Sequence, residues 1–122
     1  FILVVDDEKV VRRMIGHTLE KAGWQTELAD DGDSAVDVVR ERPDACRLVI
    51  MDFGMPRKSG LDATAEIQEI DGGLPVLGCS GSISEKERAT KLGMVDVMAK
   101  PLEPAALLEF VATHARPAKS KK

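Results

Sequence analysis

Positive charge is in short supply in this chain: 17 lysines and arginines stand against 21 aspartates and glutamates, for a formal net charge of −4. A nucleic-acid surface announces itself as a basic face, and none is implied. The locally basic stretch, Arg116 to Lys122, reads as a solvated tail or linker stub. Cysteine is scarce too. Cys46 and Cys79 form neither a metal-ligand spacing nor a disulfide framework. They read as incidental thiols in a reducing compartment, Cys79 as a small buried hydrophobe inside an apolar run. No apolar run approaches the ~20 residues needed to span a bilayer, and no signal-peptide pattern precedes the first strand. The expectation is a cytoplasmic domain, or the cytoplasmic part of something larger, that makes no membrane contact. Phe1 already stands at the edge of a strand, so the chain reads as a fragment of a longer protein. Repeats and low-complexity segments are lacking as well.

What is present suits one domain. The 122 residues are 43% hydrophobic and 31% charged, an ordinary globular balance. A chain this long buries roughly two-thirds of its unfolded surface, enough for a real core. Short apolar runs alternate with longer amphipathic ones. Ile2 to Val5 is a continuous apolar run of the kind a parallel strand covered on both faces shows. Val11, Met14, Ile15, Leu19 and Ala22 then recur at helical spacing, with Gly23 as a stop. Thr26 to Ala29 is a more polar strand, nearer an edge. A helix from about Asp33 to Glu41 turns Ala35, Val38 and Val39 inward. Leu48 to Met51 is a buried strand, Phe53 to Gly60 a loop rich in turn residues, and Leu61 to Ile70 a helix. Pro75 to Cys79 is the fourth strand. Ser84 and Glu87 form a capping box for a fourth helix ending at Gly93. Val95 to Met98 is the fifth strand, and Pro104 opens a helix ending near His114. Five strands alternating with five helices predict a doubly wound parallel α/β sheet with helices on both faces.

Right-handed crossovers put the carboxyl ends of all these strands on one edge, where such sheets bind ligands. Asp6, Asp7 and Glu8 follow the first strand, Asp52 the third, Ser80 the fourth, and Lys100 and Pro101 the fifth. Each alone has a bland explanation, as a helix cap or a solvated lysine. Together they are less ordinary. Clustered carboxylates repel one another unless a cation sits among them, and an all-oxygen cluster suits Mg²⁺. A metal beside a carboxylate can hold it in line for attack on phosphorus and neutralise the transferring group. Lys100 would add a point charge, and Ser80 a hydroxyl hydrogen bond. The product would be an aspartyl phosphate.

These segments, Val4-Val5-Asp6-Asp7-Glu8, Met51-Asp52-Phe53-Gly54-Met55-Pro56, Ser80 and Lys100-Pro101, closely resemble response-regulator receiver domains. The likeness runs from Ile2 to about Ala115, so residues 1–115 are expected to form the receiver domain and 116–122 a basic tail. The resemblance implies a flavodoxin-like sheet of order 2-1-3-4-5, an arrangement for which the chemotaxis member of the family is the standard example. It implies that Asp52 is the phospho-acceptor, that Asp7, Asp52 and the Gly54 carbonyl hold Mg²⁺ (or Mn²⁺ or Ca²⁺ in its place), and that Asp6 acts through water. Ser80 and Lys100 would contact the phosphoryl group, with a cis peptide at Lys100-Pro101. The partner implied is a histidine kinase or histidine phosphotransfer protein, possibly with a kinase or output domain fused outside these residues. The run Gly60-Leu61-Asp62-Ala63-Thr64 leans toward receivers of hybrid sensor histidine kinases.

The chain departs from the family at Val97, three residues before Lys100, where an aromatic is usual; it contains no tyrosine at all. A signal is then expected to travel through the loop Ser80 to Ile83 and the fourth helix, since valine is stiff and short. An enzyme is not expected. A dehalogenase-like phosphatase needs a second Asp two residues after the first, and Glu8 and Gly54 stand there instead. A dinucleotide site wants glycines where Asp6-Asp7-Glu8 lies. A receiver that binds partners without phosphorylation would be separated from a working one by titration with a phosphate analogue and Mg²⁺.

Overall fold

The computed structural model describes residues 1–81 and 86–117. The elements are β1 (Ile2–Val5), α1 (Lys9–Lys21), β2 (Thr26–Ala29), α2 (Gly32–Glu41), β3 (Leu48–Asp52), α3 (Gly60–Ile70), β4 (Val76–Ser80), α4 (Lys86–Lys91), β5 (Asp96–Ala99) and α5 (Pro104–His114). All strand pairs are parallel, in the order β2-β1-β3-β4-β5, as the resemblance implies. Side chains alternate across the sheet with the period of two that a strand imposes. Leu3, Val5, Val49, Met51 and Val76 pack with α2, α3 and Met94 on one face. Ile2, Val4, Leu48, Ile50 and Leu77 pack with α1 and α5 on the other. Cys46 and Cys79 lie in opposite layers as buried free thiols. Among the described residues, no helix is long and apolar enough to cross a membrane.

Several expectations need correction. Met14 is 64% exposed: Ile15, Gly16 and Leu19 form the inward stripe of α1 instead. In α2 Ala35 and Val39 are buried and Val38 packs against the same core partly buried, as expected, but Val36 is buried with them. Strand β4 runs Val76–Ser80 and β5 Asp96–Ala99, each one residue later than the apolar runs suggest. Pairing decides these ends: Ser80 stands opposite Ala99, and Val95, 43% exposed, falls before the ladder. Gly23 and Gly93 take φ of 97° and 105° after α1 and α4, the left-handed geometry that favours glycine at helix ends. Ser84 of the expected capping box lies outside the described residues, as do residues 82 and 83 of the loop Ser80 to Ile83. Arg116 is no solvated tail residue. Its guanidinium makes paired hydrogen bonds to Asp71 at 3.0 and 2.7 Å and donates to the Cys46 carbonyl, tying the chain after α5 to the amino edge of the sheet.

Candidate functional site

Asp6 continues the β1–β2 ladder by donating its N–H to the Ala29 carbonyl at 3.2 Å. Its side chain then turns the chain into α1, with Oδ1 accepting the Glu8 N–H at 2.8 Å. Asp6 is 1% exposed, whereas Asp7, one residue on, faces solvent. Asp52 closes β3, 4% exposed, and accepts the Gly54 N–H at 3.3 Å on Oδ1. Ser80 closes β4, and its carbonyl accepts the Lys100 N–H at 2.8 Å, which sets Ser80 and Lys100 side by side at the strand ends. The Lys100-Pro101 peptide is cis.

Lys100 joins the two buried carboxylates. Its Nζ lies 3.0 Å from Asp6 Oδ2 and 2.9 Å from Asp52 Oδ1. Burial works against the ammonium, but hydrogen bonds to Asp52 and Asp6 outweigh it and raise its pKa above the ordinary range, so Lys100 is charged at neutral pH. Carboxylate oxygens of Asp6, Asp7 and Asp52 all lie within 4.8 Å of one another. Three carboxylates facing one ammonium leave an excess of two negative charges, and the donors are all oxygen. That set fits a hard divalent cation such as Mg²⁺. Cys79, one residue before Ser80 and 1% exposed, is no nucleophile: burial pushes its thiol up to about 12.

The strand-end residues singled out from sequence are thus brought to one edge, with Glu8 entering through its backbone N–H. Three contributors were not singled out in the sequence for their part in the site. Arg12 donates to the Asp6 carbonyl at 2.7 Å, one turn into α1. Gly60 brings α3 against the acceptor strand, where any Cβ would lie 2.1 Å from the Asp52 carbonyl oxygen. Gly78 leaves room for the Phe53 ring, since a Cβ there would lie 2.5 Å from Phe53 Cε1 and 2.7 Å from Met94 Sδ. Val97 is buried in that same layer, 7% exposed.

The 2-1-3-4-5 sheet with an acidic site at its strand ends is a doubly wound α/β fold of the flavodoxin-like class, and sequence comparison gives the family. The model of the response regulator receiver domain matches residues 2–112, and the chain belongs to that family. It is 37% identical over 114 residues to the response regulator MprA of Mycolicibacterium vanbaalenii, covering 91% of this chain and 47% of that protein. It is 34% identical over 116 residues to the sensor histidine kinase RcsC of Salmonella typhi, covering 93% of this chain and 12% of that protein. The receiver domain of NtrX from Brucella abortus superposes with a TM-score of 0.85 at 34% identity, covering 93% of this chain and 97% of that one. The chain is a receiver domain of two-component phosphorelay signalling, a family of signalling switches.

Proposed function

We propose that Asp52 accepts a phosphoryl group from a phosphohistidine on a histidine kinase or histidine phosphotransfer protein, with Mg²⁺ as the metal. The observation that carries this reading is the Lys100 ammonium bridging Asp52 and Asp6 beside Asp7. The metal ligands are Asp7, Asp52 and the Gly54 carbonyl, with Asp6 acting through water because Glu8 and Lys100 already occupy its oxygens. When bound, the ion neutralises oxygens of the transferring phosphoryl group. Gly54 and Lys100 hold Oδ1 of Asp52 and so limit the orientations of the carboxylate. A carboxylate oxygen attacks phosphorus; the new O–P bond forms as the donor N–P bond breaks, and the imidazole nitrogen leaves. Lys100 follows the charge onto the phosphoryl oxygens, and Ser80 donates its hydroxyl there. The likeness to MprA and RcsC, matched over 47% and 12% of their lengths, supports a fused kinase or output domain outside these residues, and a cytoplasmic setting goes with that reading.

The partner's phosphohistidine helix docks on α1. Val10 and Met14 are 71% and 64% exposed, beside a groove of about 340 Å³ lined by Val11, Met14, Ile15, Pro101, Leu102 and Leu107. Lys100 also borders this groove, which makes it continuous with the carboxylate site. Lys9, Arg12 and Arg13 lie along the same helix, so the occupant is an apolar surface with acidic flanks. With Val97 buried, the signal leaves through Ser80 and α4.

Transfer from a phosphorylated donor and from acetyl phosphate separates chemistry from docking. Asp52→Asn should abolish labelling by both, and Met14→Glu should slow only the protein donor. Label persisting undiminished on Asp52→Asn would overturn the acceptor assignment.

A further inference from the structure

The acceptor loop between β3 and α3 carries Gly54 and ends at Ser59, the cap of α3. Arg57 within it has φ of 65°, in the left-handed region that side chains with a Cβ disfavour. Such a backbone persists only where its surroundings hold it. Lys58 supplies the hold. Its stem threads between α2 and α3, so close that a Cβ on Gly32 would lie 3.1 Å from Lys58 Cγ and 3.2 Å from Ala63 Cβ. Its ammonium pairs with Asp33 of α2 at 2.9 Å and with Glu66 of α3. Next to it, Arg57 reaches Asp31, the cap of α2, at 3.5 Å.

Only 23% of the Lys58 side chain is exposed, so it is less screened than an ordinary surface lysine. The cation therefore joins the first turn of α2 to the middle of α3 across the loop. Resting on the function proposed above, we infer that Lys58 is a positioning residue for phosphoryl acceptance, fixing the loop that presents Gly54 to Asp52. It touches none of the reacting atoms. Its influence passes through the backbone from Lys58 to Gly54, whose N–H holds Asp52 Oδ1.

The test is calorimetric titration with MgCl₂ together with the rate of labelling by acetyl phosphate. Lys58→Met keeps the stem and removes the charge. Affinity for Mg²⁺ should fall about three- to tenfold, at the lower edge of what loss of a ligand's supporting partner costs, and labelling at subsaturating metal should slow in step. Saturating Mg²⁺ should recover most of the rate, a split that general destabilisation would not produce. Lys58→Arg should restore affinity to within about twofold. Should Lys58→Met fail to fold, the double variant Asp33→Asn with Glu66→Gln removes the clamp from its other end and should give the same loss. Wild-type affinity in Lys58→Met or in the double variant overturns the inference alone. A parent protein that neither binds Mg²⁺ nor takes label overturns the proposed function and this inference with it.

Discussion

At the residue scale, the account turns on which carboxylate does what. Asp6 is consumed by the fold, through Glu8 and Lys100, whereas Asp7 is exposed and lies among like charges. Removing one charge from a cluster whose oxygens lie within 4.8 Å relieves repulsion of about 1 kcal/mol per pair even at the screening of bulk water. Asp7→Asn should therefore raise the metal-free thermal midpoint while removing most of the rise that Mg²⁺ gives the parent. Asp6→Asn should instead lower the metal-free midpoint, because it weakens the Lys100 pair. Thermal scans with and without MgCl₂ decide it, and the opposite pattern would exchange the roles of the two residues. The resemblance to receiver domains implies this division; the two residues alone do not show it, since adjacent residues at a strand end diverge only once the turn is formed.

At the scale of elements, α2 and α3 bring their starts to the acceptor side, each through its cap. Asp31 accepts the Ser34 N–H at 2.7 Å, and that backbone hydrogen bond, with help from the Ser34 side chain and Arg57, lowers its pKa below the ordinary 3.8. A depressed carboxyl stabilises above its unfolded value and loses that contribution as pH falls through the folded one. Asp31→Ala should cost about 1 kcal/mol at neutral pH, and the difference from the parent should shrink below the ordinary value. Denaturant melts at several pH values give the curve; a cost that grows toward acid would contradict it. The two close glycines make a second comparison. Gly60→Ala meets backbone at 2.1 Å, but Gly78→Ala meets the Phe53 ring and the Met94 sulfur, which can shift. Gly78→Ala should cost about 1–3 kcal/mol and Gly60→Ala more, by the same melts. Alternation of apolar runs made the elements and the parallel sheet legible, and the strand-end motifs made the site legible. The parts played by Gly60, Gly78, Arg12 and Lys58 were not, because each depends on how a loop or helix start folds back on its neighbours, at separations from six residues (Arg12 to Asp6) to 25 (Gly78 to Phe53). The inward face of α1 was misread at Met14 and that of α2 lacked Val36, since an apolar residue one position off the stripe looks the same in the sequence.

At the scale of the whole molecule, the two ends of the sheet are held by different chemistry. The carboxyl edge concentrates charge for function, and the amino edge is locked by Arg116 against Asp71 and the Cys46 carbonyl, with the Arg47 guanidinium donating to the Arg116 carbonyl at 2.8 Å. Arg116→Ala should lower stability by about 1.5–3 kcal/mol, the scale of hydrogen bonds to charged groups, without altering labelling; an unchanged melt would return Arg116 to the tail. The central claim is that one carboxylate among the acidic strand-end residues carries the phosphoryl group. It is tested most directly by treating the protein with acetyl phosphate and Mg²⁺, reducing the acyl phosphate with borohydride, and sequencing the peptides by mass spectrometry. The account predicts homoserine at position 52, dependent on Mg²⁺ and lost on chelation. Homoserine at Asp6 or Asp7 with none at position 52 would contradict it, as would no conversion at any position.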